Sequence, residues 1–248
     1  MSKLNWDKSF KEKFHESWHL KMRPFIESKD CYDIYQALKS QGDKILPYSK
    51  DLWKAFKWCN LDALKCIVVG QSPYHTMDGG VPLADGIAFS CSHTKKESPS
   101  LRVLFDAIAN NLDRRVIEKN PDLHYLCFQD VLMLNLSLTI EKGNKDSFGK
   151  HEVLWKPFIE YLFKNVLDTV TGIPIILFGT PAKEQIVPLL HDSQPYKCVK
   201  HPAWYARDGS PMFTDCFSWA SKMSLDNNGE EIYWDYDDYI LKSLRLPF

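Results

Sequence analysis

Residues 64–91, LKCIVVGQSPYHTMDGGVPLADGIAFSC, limit the fold of this chain more than any other stretch. The apolar, β-branched run Cys66-Ile67-Val68-Val69 predicts a buried strand. Gly70 ends that strand, and the polar cluster Gln71-Ser72-Pro73-Tyr74-His75 follows at its carboxyl end. Open α/β sheets bind ligands beyond the carboxyl ends of their strands, so hydrogen-bonding residues placed there point to a site. The loop continues through Gly79-Gly80 and Pro82 and returns to a second short run, Ile87-Ala88-Phe89-Ser90. One loop thus carries a backbone turn, a hydrogen-bonding cluster and an aromatic ring.

The rest of the chain repeats the pattern of strand, polar end and helix. Residues 5–40 read as helical, with Phe10, Phe14, Trp18 and Leu20 at roughly helical spacing and Pro24 as punctuation. Ile34, Tyr35 and Leu38 mark a further helical stretch that ends near Gly42, and residues 43–60 read as a loop plus a short helix with Leu52, Phe56 and Trp58. Ser98-Pro99-Ser100 is a helix start, with Ser as cap and Pro at the first helical position. Leu101, Leu104, Phe105, Ile108 and Leu112 form an apolar face behind it. A second strand, Val131-Leu132-Met133-Leu134, runs into Asn135, and a helix is expected over about 156–170. Ile173 to Phe178 predicts a third strand, closed by Gly179-Thr180, and Tyr196 to Val199 a fourth, ending at His201-Pro202. This alternation predicts an α/β chain with one domain over 1–248: a central four-stranded, mainly parallel sheet flanked by helices. The N-terminal part, 1–62, is helical, and 63–248 holds the sheet core and an acidic C-terminal tail.

Composition narrows the class. A chain of 248 residues with 44% hydrophobic and 25% charged content has an ordinary globular balance. No apolar run approaches the ~18 residues of a membrane span, and the charged start MSKLNWDKSFKEKF holds no signal core. No membrane association and a cytoplasmic location are expected, or a nuclear one in a eukaryotic host or virus. Seven cysteines without a CxxC pair suggest a reducing compartment and no zinc, and no metal or cofactor is expected. The net charge is −1, but residues 229–248 carry five acids against Lys242 and Arg245. The remaining residues are slightly basic, which leaves room for a DNA-binding face.

Each polar strand end has an ordinary structural reading. An Asn after a strand is usually a turn residue, a His before Pro a structural one, a Phe a core residue, and a Ser before a helix a cap. Together the strings GQSPYH, GIAFS, SPSL, LMLNLSLT and HPAWYARDG resemble, in order and at comparable spacing, motifs of one family. These are GQDPYH, GLAFS, PPSL, LLLNxxLT and HPSPLS of the main uracil-specific family of uracil-DNA glycosylases. The resemblance runs from about Trp18 to Trp234. DGGVPL and HPA also resemble the poxvirus members, which suits a viral or phage source.

The resemblance implies a DNA repair enzyme that flips uracil into a closed pocket and hydrolyses its glycosidic bond. Phe89 would stack on the base, Asn135 would read its imide edge, and Tyr74 would sit against C5. His201 would donate to O2 of the departing base, and Gln71 would hold the base or a water. Ser98, Ser100, Gly179, Thr180, Ala203 and Arg207 would contact the phosphates of single- or double-stranded DNA, and Trp204 or Tyr205 would fill the gap left in the stack. A monomer is implied, with a replication or repair protein as a further partner. The main departure is Ser72, where the family has the Asp that positions water and stabilises the sugar cation. Asp78 and Asp85 are candidate substitutes, against a simpler reading of both as solvated loop residues. Ser147-Phe148 replaces the family's Ser-His, and the last loop has a more aromatic tip. Three functions compete: a weakened uracil glycosylase, a uracil- or DNA-binding accessory protein of replication, and a glycosylase for another base in phage–host conflict.

Overall fold

The computed structural model describes residues 8–115 and 117–245, so residues 5–7 of the expected N-terminal helix lie outside it. Four strands form one parallel sheet: β1 (Cys66–Gly70), β2 (Val131–Asn135), β3 (Ile175–Phe178) and β4 (Tyr196–Val199), in the order β2-β1-β3-β4. Every residue of β1, β2 and β3 is buried. Strands covered on both faces need apolar side chains at every position, which is why these read as unbroken runs. β4 lies at the edge and is partly exposed, and its Lys197 pairs with Asp215 at 2.5 Å. In the ladder Cys66 faces Val131 and Gly70 faces Asn135, so β1 and β2 end level with each other. All four polar ends therefore emerge from one edge of the sheet.

Helices α1 (His19–Ile26), α2 (Lys29–Gln41), α3 (Pro99–Asn111), α4 (Phe148–Tyr161), α5 (Thr180–Ile186), α6 (Pro202–Asp208), α7 (Cys216–Asn228) and α8 (Tyr236–Arg245) flank the sheet. The N-terminal helices bury a cluster of large rings. Trp18 meets Phe56 edge-on at 5.1 Å, Trp53 meets Trp155 at 5.7 Å, and Phe56 meets Phe158 at 5.8 Å. The Trp18 indole N–H donates to the Cys59 carbonyl at 2.7 Å, so no polar atom of that ring is left unsatisfied. This cluster seats the short helix Lys54–Trp58, whose inner side becomes a wall of the site.

The structure corrects four expectations. Leu20 is exposed: Trp18, Met22, Phe25 and Ile26 share the buried face of α1, and Leu20 lies opposite. Pro24 does not end that helix, and α4 begins at Phe148 rather than near 156 and accommodates Pro157. A helical proline orphans the carbonyl four residues before it, here at Leu20 and Val153, which are both exposed to water. The segment after His201 is a helix, α6, rather than a loop. The expected turn at Gly79-Gly80 does close a two-residue hairpin, with Met77 opposite Pro82 and both glycines at positive φ. That geometry is the type I′ turn that glycine permits.

The acidic C-terminal segment is docked, and three of its five acids, Glu230, Asp235 and Asp238, are paired. Arg114 bridges Asp235 at 2.7 Å and Asp238 at 2.5 Å, and Lys65 meets Glu230 at 2.5 Å. Tyr125 donates to the Trp234 carbonyl at 2.7 Å. Among the described residues, no helix is long and apolar enough to cross a membrane. Asp235 is buried, so Arg114→Ala leaves a carboxylate without its cation. The expected loss is about 1–3 kcal/mol in urea unfolding, at the modest end because Arg114 is itself partly exposed. Adding Asp235→Asn should return part of it.

Candidate active site

The site is built outward from Gly70 and Asn135, which face each other at the ends of β1 and β2. Two further bonds extend the ladder: Leu136 N–H to the Gly70 carbonyl at 3.1 Å, and Ser137 N–H to the Gln71 carbonyl at 3.2 Å. A Cβ at position 70 would lie 2.6 Å from Asn135 Oδ1 and 3.2 Å from the Phe89 ring. Only glycine lets the Asn amide and the aromatic ring approach the strand this closely. Asn135 is 8% exposed, and its side-chain amide makes no hydrogen bond to the protein among the described residues. The amide opens onto the cavity, where its donor and acceptor are available to a ligand or water.

Phe89 forms the floor. It is buried, holds a left-handed φ of 66°, and lies 5.4 Å from Phe178 and 5.6 Å from His201. A bulky residue in that conformation persists only where its surroundings over-determine it. Here Asp85 does so, since its carboxylate accepts from the N–H groups of Ile87 and Ser92 and from Ser90 Oγ, at 3.1, 2.9 and 2.6 Å. Asp85 is therefore fully buried, which corrects its reading as a solvated loop residue. Asp78 instead pairs with Lys96 at 2.6 Å. Neither lines the cavity.

The cavity is bounded by Ser72, Tyr74, Phe89, Asn135, His201 and Phe56, with Leu52, Ala55, Ile87 and Leu138 filling between. Its lining holds no carboxylate and no cation. Gln71 and Ser72 are half-buried. His201 caps α6: its Nδ1 accepts from the Ala203 N–H at 3.1 Å. An imidazole that accepts at Nδ1 carries its proton on Nε2, so His201 offers a neutral donor. Burial, with Arg207 nearby, lowers its pKa from 6.5 to about 4.

Other predicted residues fall as follows. Ser98 and Ser100 are buried at the start of α3. The Ser98 hydroxyl, expected to contact phosphate, accepts from the Leu101 N–H at 3.0 Å and donates to Tyr74 at 2.7 Å. Gly179 is half-buried and Thr180 is exposed at the start of α5. On α6, Ala203, Trp204 and Tyr205 are half-buried and Arg207 is exposed. Trp204 and Tyr205 meet edge-on at 5.0 Å, with Lys200 over the Trp204 ring. Sequence reasoning gave no role to His75, whose Nδ1 is buried without a partner, nor to the wall from Leu52, Ala55 and Phe56. The final His of GQSPYH was the available signal for the first; nothing local marks the second. Asp85, Asp122 and His124 bring potential metal ligands together, but the Asp85 oxygens are occupied by the loop and the group lies outside the cavity lining.

Between pH 6.5 and about 4, the unfolded chain binds a proton at this histidine that the folded chain does not. Stability from His201 is thus fully present above pH 6.5 and lost as pH falls toward 4. The expected outcome is an NMR titration of the His201 ring with a midpoint near 4, and a urea midpoint less sensitive to pH over this window in His201→Gln.

No family model matches the chain. The uracil-DNA glycosylase of Aliarcobacter butzleri is 27% identical over 225 residues, covering 86% of this chain and 99% of that relative. Among solved structures, the mimivirus uracil-DNA glycosylase aligns with a TM-score of 0.80 at 18% identity, covering 95% of each chain. The structure from Nitratifractor salsuginis aligns at 0.58 and 21%, covering 86% of this chain and 93% of that one. These likenesses give the fold. The uracil-DNA glycosylase of Idiomarina loihiensis is 33% identical over 168 residues, covering 67% of this chain and 73% of the relative. With that identity over that span, and with the sheet and the strand-end cluster already described, the chain belongs to the uracil-DNA glycosylase family.

Proposed function

We propose that this DNA glycosylase draws uracil from DNA into the cavity between Phe89 and His201 and hydrolyses its bond to deoxyribose slowly, because Ser72 supplies no negative charge. The observation that carries the reading is the Asn135 amide, buried at a strand end with both hydrogen-bonding edges free, in a cavity that also holds a neutral imidazole donor. Uracil offers an acceptor at O4 beside a donor at N3, and one amide in a fixed orientation matches both. Cytosine offers the opposite pattern, and the unpaired groups would count against it. Phe89 stacks on the ring and Tyr74 closes the space beyond C5. Gln71 holds the base or a water beside it.

Bond cleavage leaves its electron pair on the base, and the charge spreads to O2. His201 Nε2–H donates to that oxygen, and because the ring stays neutral it stabilises the anion without giving up a proton. Water then adds to the sugar carbon and releases its proton to solvent. No carboxylate in the lining opposes the positive charge on the sugar. Loss of one such preorganised contact costs roughly 10²–10³ in rate. Ser72 can hydrogen-bond the water, and the unpartnered His75 Nδ1 beside this loop suits a second water contact.

The substrate is uracil in single- or double-stranded DNA, met by a monomer without cofactor, in the cytoplasm or, in a eukaryotic host, the nucleus. Ser100, Gly179, Thr180, Ala203 and Arg207 meet the phosphates, and Trp204 and Tyr205 enter the stack. A replication or repair protein as partner is compatible with this arrangement.

Ser72→Asp should raise single-turnover uracil excision by roughly two orders of magnitude. An unchanged or lower rate, with uracil-selective DNA binding intact, would favour the accessory reading. Replacing Trp204 and Tyr205 with Ala should slow excision from duplex DNA more than from single strands, since only the duplex has a stack to refill. Equal losses on both would remove the wedge role.

A further inference from the structure

Tyr74 is held from two sides by groups that the excision chemistry does not use. Its hydroxyl donates to the Phe89 carbonyl at 3.1 Å and accepts from Ser98 Oγ at 2.7 Å. Ser98 Oγ also accepts from the Leu101 N–H at 3.0 Å, as the cap of α3. A serine hydroxyl has one proton to give, and here the geometry directs it at Tyr74. Burial raises the Tyr74 phenol above its ordinary value, so it stays protonated and its own donation to Phe89 persists. The Phe89 carbonyl is in turn fixed by the loop that Asp85 organises. Tyr74 therefore bridges two stiff parts of the molecule, a helix start and a turn built on a buried carboxylate.

We propose that Ser98 is a specificity-positioning residue: through the Tyr74 hydroxyl it sets how closely that ring approaches C5 of a bound pyrimidine, and so how strongly a 5-methyl group is refused. The inference rests on the reading of Tyr74 as the wall beyond C5. With one tether, to the Phe89 carbonyl, the ring can swing about its own bonds and yield to a methyl group. With two tethers at its tip, it cannot move away without breaking a buried hydrogen bond. Refusal of one methyl group by an apolar wall is worth roughly 10–200-fold, and a rigid wall lies at the upper end of such a range. The family motif PPSL has proline where this chain has Ser98, and a proline side chain donates nothing. The tether is therefore a feature of this chain.

The test is equilibrium binding of the intact protein to single-stranded DNA carrying a cleavage-resistant 2′-fluorinated uridine or its 5-methyl counterpart, so the readout needs no turnover. Ser98→Gly keeps an acceptable helix cap but removes the tether. It should lower the uracil-over-thymine affinity ratio by roughly 2–10-fold, the scale of one net hydrogen bond, by tightening the 5-methyl ligand while uracil binding changes little. Ser98→Thr keeps the hydroxyl and should hold most of the ratio. In a Tyr74→Phe background, Ser98→Gly should have no further effect, since the partner atom is gone. A merely structural Ser98 would weaken both ligands equally and would do so in either background. If Tyr74→Ala admits the 5-methyl base but Ser98→Gly leaves the ratio unchanged, this inference falls and the Tyr74 wall stands. If Tyr74→Ala does not admit it, or the natural protein does not discriminate, the wall itself falls and the inference with it.

Discussion

The pairing of Gly70 with Asn135 is the constraint on which the site depends. Parallel strands β1 and β2 end at the same level, so the amide of one rises over the bare backbone of the other. Without a Cβ at position 70, Phe89 and Asn135 share the space above a single glycine. Phe89 then packs against Phe178 of β3 and lies beside His201 beyond β4, so residues at the ends of β1, β2 and β4 meet at one cavity and β3 supports its floor from behind. The cluster is thus placed by the sheet itself: β1 is hydrogen-bonded on both sides, by β2 and β3, and Asn135 and His201 lie at the ends of the two edge strands that complete it. Precision of this kind is difficult to build on loops alone.

Around that pair, charge is kept out of the cavity and used behind it. Asp85 stands one shell away, where its carboxylate gathers three donors and holds Phe89 at its left-handed φ. Asp51 does similar work on the adjoining wall, meeting His93 at 3.0 Å and Lys54 at 3.1 Å beside the helix that carries Phe56. Buried carboxylates so engaged are structural anchors and are poor candidates for water activation, because their lone pairs face the protein. Asp85 and Asp78, the two acids of the loop that carries Ser72, are both engaged outside the cavity, the first by three donors and the second by Lys96.

Three of the four strands were legible because burial on both faces demands apolar residues at every position, giving the runs CIVV, VLML and IILF bounded by polar turns. The start of α3 was legible because Ser98-Pro99 is itself a capping signal. By contrast, α6 was not. It has only seven residues, and two of its large side chains, Trp204 and Tyr205, are half-buried, so no apolar stripe marks it. What makes it a helix is the His201 ring capping its first turn and a left-handed Gly209 ending it, and a His before Pro carries no distinctive helical signal. The depth of Asp85 was hidden for a similar reason. Loop sequence says that an acid is present, but only the path of the loop decides whether its oxygens meet water or the N–H groups of the next turn. The inward direction of Ser98 is of the same kind, since a cap serine reads alike whether its proton points to solvent or to Tyr74.

A cavity of this type divides the two halves of glycosidic cleavage. In the proposed mechanism the base side would be served by fixed neutral dipoles: an amide, a phenol locked by two bonds, and an imidazole kept uncharged by burial. Neutral groups are the right choice there, because a cation would bind an ionised base too early and an anion would repel it. They also change little in protonation across ordinary pH, so base recognition holds while solution conditions vary. On the same reading the sugar side would be met by the Ser72 hydroxyl, and the cavity lining holds no carboxylate. Opposite charges a few ångströms apart in a water-poor cleft interact far more strongly than in bulk water, so one carboxylate at position 72 acts on the barrier in a way that no rearrangement of the base-side dipoles can reproduce. On the proposed mechanism, selection of the base and the rate of its release are separated: the first would reside in the sheet edge and its walls, and the second in the side chain at position 72.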